Sequence, residues 1–313
     1  MQKRFQRRAF TQLPSLACFH PVLARVYAAR GIQSTEDLDY RLTQLTHYQS
    51  LRGIDKATEL LAMALKQQRR ILVVGDFDSD GATSSALAVC ALRAFGATHV
   101  DFLVPNRFEY GYGLSPEIVA VALAQKQPDL IITVDNADHH LPGLTLPEAD
   151  AIVNPQQPGD TLLRQQLRQI QWFDPLQRPE PKMTAFLDLV ALGTVADLVT
   201  LDHNNRLLVH QGLQWIQSGQ ARPGIYALLK LAKRSFSTLR SSDLGYSVAP
   251  RLNAAGRLAD MSLGVKCLLA ENTDQAHHLA VQLTQLNEER RVIEADMQRG
   301  AWQILEKKLR PSP

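Results

Sequence analysis

The chain has 313 residues, 45% of them hydrophobic, which is enough for one large domain or two modest ones and a sizeable core. Thirty-four Lys and Arg against 31 Asp and Glu leave a net charge of +3, a mild bias toward an acidic partner and no more. No apolar run reaches the ~18 residues of a membrane span, the basic N-terminus lacks the apolar stretch of a signal peptide, and the widely spaced Cys18, Cys90 and Cys267 predict a reduced, cytoplasmic compartment.

Residues 1–50 read as a helical N-terminal segment. Ile54, Ala57, Leu60, Leu61 and Ala64 recur at helical spacing and predict an amphipathic helix to about Gln68. A buried strand is predicted at 71–74, followed directly by Asp76-Phe77-Asp78-Ser79-Asp80-Gly81 and then by a helix over 82–95. Residues 100–104 predict a second strand and 105–113 a strand-end loop. Ser115-Pro116-Glu117 is a helix start, with a capping hydroxyl, a proline in the first turn and an acid at the positive dipole end. Residues 130–134 predict a third strand and 151–153 a fourth. Strands alternating with helices indicate an α/β fold with a parallel sheet flanked by helices. Beyond it come a glutamine-rich stretch at 156–171, a proline-rich loop at 172–182 and a mostly helical part from Met183. Residues 279–309 predict one long charged helix with Leu279, Leu283, Leu286, Ile293 and Met297 as its apolar stripe.

Asp76, Asp78 and Asp80 put three carboxylates within five residues. They repel one another at neutral pH, and a cation relieves that repulsion. Crowded hard oxygens suit Mg²⁺ or Mn²⁺ rather than a soft metal. Gly81 permits a tight turn, and the helix start behind it offers N–H groups to an anion. In a parallel sheet, ligands collect at the carboxyl ends of strands, where Asp135 also stands. Asp138-His139-His140 and Asp197, which closes the apolar run 191–196, complete a mix of carboxylate and imidazole typical of two-metal phosphoester hydrolases. Each element alone is weak, since an Asp after a strand is often a helix cap and a His pair is usually a surface loop. Arg107, amid aromatics and turn glycines, and the segment Arg251-Leu252-Asn253-Ala254-Ala255-Gly256-Arg257 offer guanidinium groups for phosphate and rings for bases. Structural salt bridges are the other reading of these arginines.

Taken in order, residues 75–83, 134–136, 138–140 and 191–197 resemble the motifs of the DHH phosphoesterases. Residues 105–113 and 251–257 narrow the likeness to that family's bacterial branch of single-strand-specific 5′→3′ DNA exonucleases, over about 15–300. The resemblance implies a hydrolase using two Mn²⁺ or Mg²⁺ ions in DNA repair and recombination. Its substrate would be single-stranded DNA with a 5′ end, and a helicase or single-strand-binding protein would be its protein partner. It implies a DHH domain over 51–286, with Asp78 binding one metal, Asp80, His139 and Asp197 the other, and Asp135 bridging them. His140 would touch the scissile phosphate, and Arg107, Arg251, Asn253 and Arg257 would bind nucleic acid.

The chain departs from that pattern. Val74 stands where many of these proteins have a histidine, and Asp76 or water is expected to complete the first metal site instead. Only Asn136 and Ala137 separate Asp135 from Asp138, too few for the helix and strand the family has there, which need at least ~10–12 residues. A helical segment after Asn154-Pro155 is also replaced by the glutamine-rich stretch. Residues 287–313 are expected to be a stub of a long connecting helix, with the family's second domain and oligonucleotide-binding fold absent. These losses are expected to weaken activity and grip. Two other readings are a phosphodiesterase for short oligonucleotides or dinucleotides, and a non-catalytic DNA-binding remnant.

Overall fold

The computed structural model describes residues 13–46, 54–111, 115–134, 172–174, 177 and 179–309. The N-terminal segment contains one two-turn helix, α1 (Pro21–Ala28), amid single turns at Pro14–Leu16, Glu36–Leu38 and Leu42–Gln44. It is less helical than expected.

The predicted α/β region follows with small changes of boundary. Helix α2 (Ile54–Lys66) leads into strand β1 (Ile71–Val74), all of it buried. Helix α3 (Ser79–Ala94) begins three residues before the expected Ala82, because the Asp78 carboxylate accepts from the Gly81 N–H at 3.1 Å and caps it. Asp80 and Gly81 therefore sit in a helical turn and not in a loop. Strand β2 (Val100–Leu103) is followed by a single turn, α4 (Arg107–Tyr110), where a loop was expected. Asn106 caps that turn through the Phe108 N–H at 3.0 Å. Helix α5 (Pro116–Lys126) starts at the expected Ser115 cap, and strand β3 (Leu130–Thr133) ends the described sheet.

The three strands are parallel in the order β2-β1-β3, with Ile71 opposite Val100 and Leu130. Alternate residues of β1 serve opposite faces. Ile71 and Val73 pack with Ala64, Val89 and Leu92 of α2 and α3, whereas Leu72 and Val74 pack with Ile118 and Ala122 of α5. A strand covered on both sides reads as a continuous apolar run, as this one does. The expected fourth strand and the glutamine-rich stretch lie outside the described residues.

The rest is helical: α6 (Leu187–Ala196), α7 (His203–Gln217), α8 (Pro223–Leu231), a π turn (Leu244–Val248) running into α9 (Ala249–Leu258), α10 (Ser262–Leu269) and α11 (Thr273–Leu309). One apolar cluster joins Phe77, Ala82 and Ala86 to Leu192, Leu228, Leu252 and Leu283, so the turn after β1 is packed directly on the helical half. The stripe of α11 is buried at Leu283 and ends with buried Asn287, while Ile293 and Met297, expected within it, are 47% and 70% exposed. Among the described residues no helix is long and apolar enough to cross a membrane.

A buried ion pair ties α6 to α8. Asp188 is fully buried and accepts from the Arg222 N–H at 2.9 Å, Arg222 Nε at 3.3 Å and the Leu189 N–H at 2.8 Å. Burial pushes its carboxyl above the ordinary value, with Arg222 pulling the other way. Asp188→Ala leaves a mostly buried guanidinium without its counter-charge. The expected loss of stability in urea unfolding is about 3–5 kcal/mol. A loss under about 1 kcal/mol, the range of an exposed pair, would show that water reaches Arg222 freely.

Candidate metal and phosphate site

A cavity of about 600 Å³ opens beyond the carboxyl end of β1. Three walls bring carboxylates to it: the turn after β1 supplies Asp78, the first turn of α3 supplies Asp80, and the residue capping α6 is Asp197. Arg107 and Phe108 of α4 line it, as do Asn253 and Arg257 of α9. Four of the separately predicted segments thus meet at one place.

Local forces explain the arrangement. Capping α3 orients Asp78, and Gly81 lies so close to Asp76 that a Cβ would stand 2.4 Å from the Asp76 carbonyl oxygen. Asp76 itself does not line the cavity; its Oδ1 accepts from the Phe77 N–H at 2.8 Å. Asn253 Oδ1 accepts from the Ser79 N–H at 2.8 Å, and the Ser79 hydroxyl reaches the same oxygen and the Ala249 carbonyl, each at 2.9 Å. This clamp fastens the acidic turn to α9. The Arg107 guanidinium lies over the Phe77 ring, 4.7 Å from its centroid, and 5.9 Å from that of Phe108. Such stacking helps to hold a guanidinium in place at the cavity wall.

Arg251, expected beside Asn253 and Arg257, stands apart from them. It lies outside the cavity, half-buried, with Nε donating to Thr284 at 3.3 Å and Nη1 to the Ser247 carbonyl, so it braces α9 against α11. Positions 253 and 257 share a helical stripe, and 251 points elsewhere because residues two apart do not share a face. Burial depresses the Arg251 pKa, reinforced by the nearby Arg291. Ser79 and Gly256 were missed as contributors. The glycine inside the helical run 251–257 is a recognisable sign of close backbone approach, whereas nothing local marks Ser79 as the partner of a residue 174 positions away.

The donor chemistry fits a hard divalent cation: carboxylate oxygens, with no thiol among the described residues that line the cavity. Among the described residues no group of three such donors stands close enough to hold an ion unaided. Asp135, His139 and His140 lie outside the described residues. Val74 is fully buried in the sheet and does not line the cavity.

A model of the DHH family, N-terminal domain, matches residues 70–194. The single-stranded-DNA-specific exonuclease RecJ of Dickeya dadantii is 47% identical over 342 residues, covering 97% of this chain and 59% of that protein. A solved exonuclease RecJ bound to manganese superposes with a TM-score of 0.67 at 31% identity, covering 82% of this chain and 70% of that one. RecJ of Thermus thermophilus in complex with Mn²⁺ gives a TM-score of 0.70 at 29% identity, over 91% and 44% of the two chains. The chain belongs to the DHH family, within its RecJ group. It spans 59% of the length of the Dickeya relative. That alignment of 342 positions is longer than the 313-residue chain, so the relative carries at least 29 residues (342 less 313) that this chain lacks within the matched span.

Proposed function

We propose that this chain carries the catalytic part of a Mn²⁺- or Mg²⁺-dependent exonuclease that removes nucleotides from the 5′ end of single-stranded DNA, in repair and recombination. The observation that carries the reading is the meeting of Asp78, Asp80 and Asp197 with Arg107 and Arg257 around one cavity. Named relatives of this group act on single-stranded DNA, and solved members hold manganese or magnesium. Asp78, Asp80 and Asp197 would hold the ions together with Asp135 and His139, two ions sharing Asp135. Bound there, the metal supplies Lewis-acid polarisation of the phosphodiester. Arg107 and Arg257 offset the negative charge of the strand's phosphates and orient the scissile one. Asn253 keeps the acidic turn and α9 in register, so that acids and cations face the same phosphate. His140 would contact the scissile group. The DHH domain on this reading is 51–286, with 287–313 belonging to a connecting helix. A helicase or single-strand-binding protein would present the strand.

The test is direct. The purified chain is given a 3′-labelled single strand bearing a 5′ phosphate, with Mn²⁺ or with EDTA. Shortening from the 5′ end that stops in EDTA and spares a blunt duplex is the expected result. Digestion from the 3′ end, or in EDTA, overturns the proposal. Cleavage restricted to dinucleotides would favour the small-substrate reading.

A further inference from the structure

A second, smaller cavity of about 210 Å³ opens at the carboxyl end of β2, the strand beside β1. Ligands of parallel sheets collect at that edge. Buried Val104 and Ile118 line it together with the half-buried Tyr110 ring. Exposed Glu109, Gln125 and Asp260 supply its polar groups. No Lys, Arg or His stands among the described residues that line it.

The same two pieces of chain wall both cavities. In α4, Arg107 and Phe108 line the cavity that holds Asp78, Asp80 and Asp197, while Glu109, Tyr110 and the capping Asn106 line the second. At the end of α9, Arg257 lines the first, and Asp260, three residues on, lines the second. The single turn α4 therefore stands between guanidinium groups on one side and carboxylates on the other. Glu109 accepts from Asn106 Nδ2 at 3.3 Å, and Asp260 from the Ser262 N–H at 2.8 Å. Among the described residues neither carboxylate is paired with a cation.

We propose that this second cavity receives the base of the nucleotide whose phosphate Arg107 and Arg257 hold. The inference rests on the single-strand nuclease reading and adds a subsite to it. Charge sorts the two ends of a nucleotide: the phosphate is drawn to the guanidinium side of α4 and repelled from Glu109 and Asp260. What enters the second cavity is then the uncharged end. A base offers an apolar face to Tyr110, Val104 and Ile118, and edge N–H groups to the carboxylates. The volume of about 210 Å³ falls below the ~300–1,000 Å³ of a drug-sized ligand, which suits one ring system and not a whole nucleotide. A base within a duplex must first unpair and unstack to enter, so the subsite favours single strands.

The experiment reads affinity by anisotropy in EDTA for a 5′-phosphorylated, 3′-labelled oligodeoxycytidylate. The strand is either intact or carries one abasic residue at its first, second or third position. One position should stand out, with affinity lower by about tenfold. Val121→Trp and Gln125→Trp each place an indole in the second cavity from α5, four residues apart on one face. Each should weaken binding of the intact strand by about tenfold, and weaken the strand that already lacks that base no further. Gln125 is exposed, so its variant keeps the fold and its Tm even where Val121→Trp does not. Equal affinity of the unaltered protein for all four strands overturns the subsite alone. Tryptophan variants of unchanged Tm that bind every strand as the unaltered protein does, or weaken every strand equally, overturn it too, because the filled cavity then has no bearing on the base. Unaltered protein that binds none of the strands overturns the single-strand reading and the subsite together.

Discussion

Asp80→Ala is expected to abolish Mn²⁺-dependent hydrolysis of a 5′-phosphorylated single strand while the fold persists. Asp80 lines the cavity from the first turn of α3. The hydrogen bonds from Thr83 and Ser84 at that turn go to its backbone carbonyl, at 3.0 Å and 2.7 Å, and do not need the carboxylate. The helix therefore survives the substitution, with Tm moved by a few degrees at most. Losing a ligand that supports Lewis-acid stabilisation of several kcal/mol lowers the rate by about a thousandfold or more, since each ~1.4 kcal/mol is tenfold. Asp76→Ala is the informative companion. Asp76 does not line the cavity, so its removal should cost about tenfold or less by loosening the turn, as supporting residues do. Single-turnover rates across a Mn²⁺ titration check both. Asp80→Ala within tenfold of the unaltered rate would remove the metal site from this cavity, and an Asp76→Ala loss as large as that of Asp80→Ala would put Asp76 back among the ligands.

Gly256→Ala should be the most damaging single methyl group in the molecule near the site. A Cβ at that position would stand 1.7 Å from the Phe77 carbonyl oxygen and 2.9 Å from its carbon. Both are backbone atoms of the acidic turn, so no side chain can swing aside. Either α9 withdraws or the turn moves, and either motion parts Asn253 from Ser79. Overpacking of this kind costs about 1–3 kcal/mol and occasionally more; contact with backbone places this case at the upper end. Activity should fall more than stability does, because Arg257 and the carboxylates lose their common focus. Urea unfolding together with hydrolysis rates separates the two effects. A variant with unchanged midpoint and rate would mean that α9 does not press on the turn.

Part of the molecule was legible without coordinates because its determinants are local. The four apolar residues of β1, the Ser115 cap of α5 and the acids that follow β1 each depend on neighbours a few positions away. Even the early start of α3 has a local cause, since the Asp78 side chain reaches a donor three residues on. The segment 251–257 was likewise legible as a cluster of polar and guanidinium groups, though not which of them share a face.

What the sequence by itself determined, then, is the parallel α/β core and the chemical character of its strand ends: oxygen donors on one side, guanidinium groups on the other. Periodicity and capping settle these through hydrogen bonds and side-chain contacts within one or two turns. Only the tertiary structure decided which of those groups share a cavity. Arg257 faces it and Arg251 does not, because α9 is rotated by its packing on Phe77 and α11. Asp76 does not line the cavity, and Tyr246 is turned outward in a π turn that no local pattern announces. The apolar stripe of α11 continues in sequence past Asn287, but burial stops there. In each case the outcome depends on which distant surface a helix meets, and long-range packing writes no period into the chain.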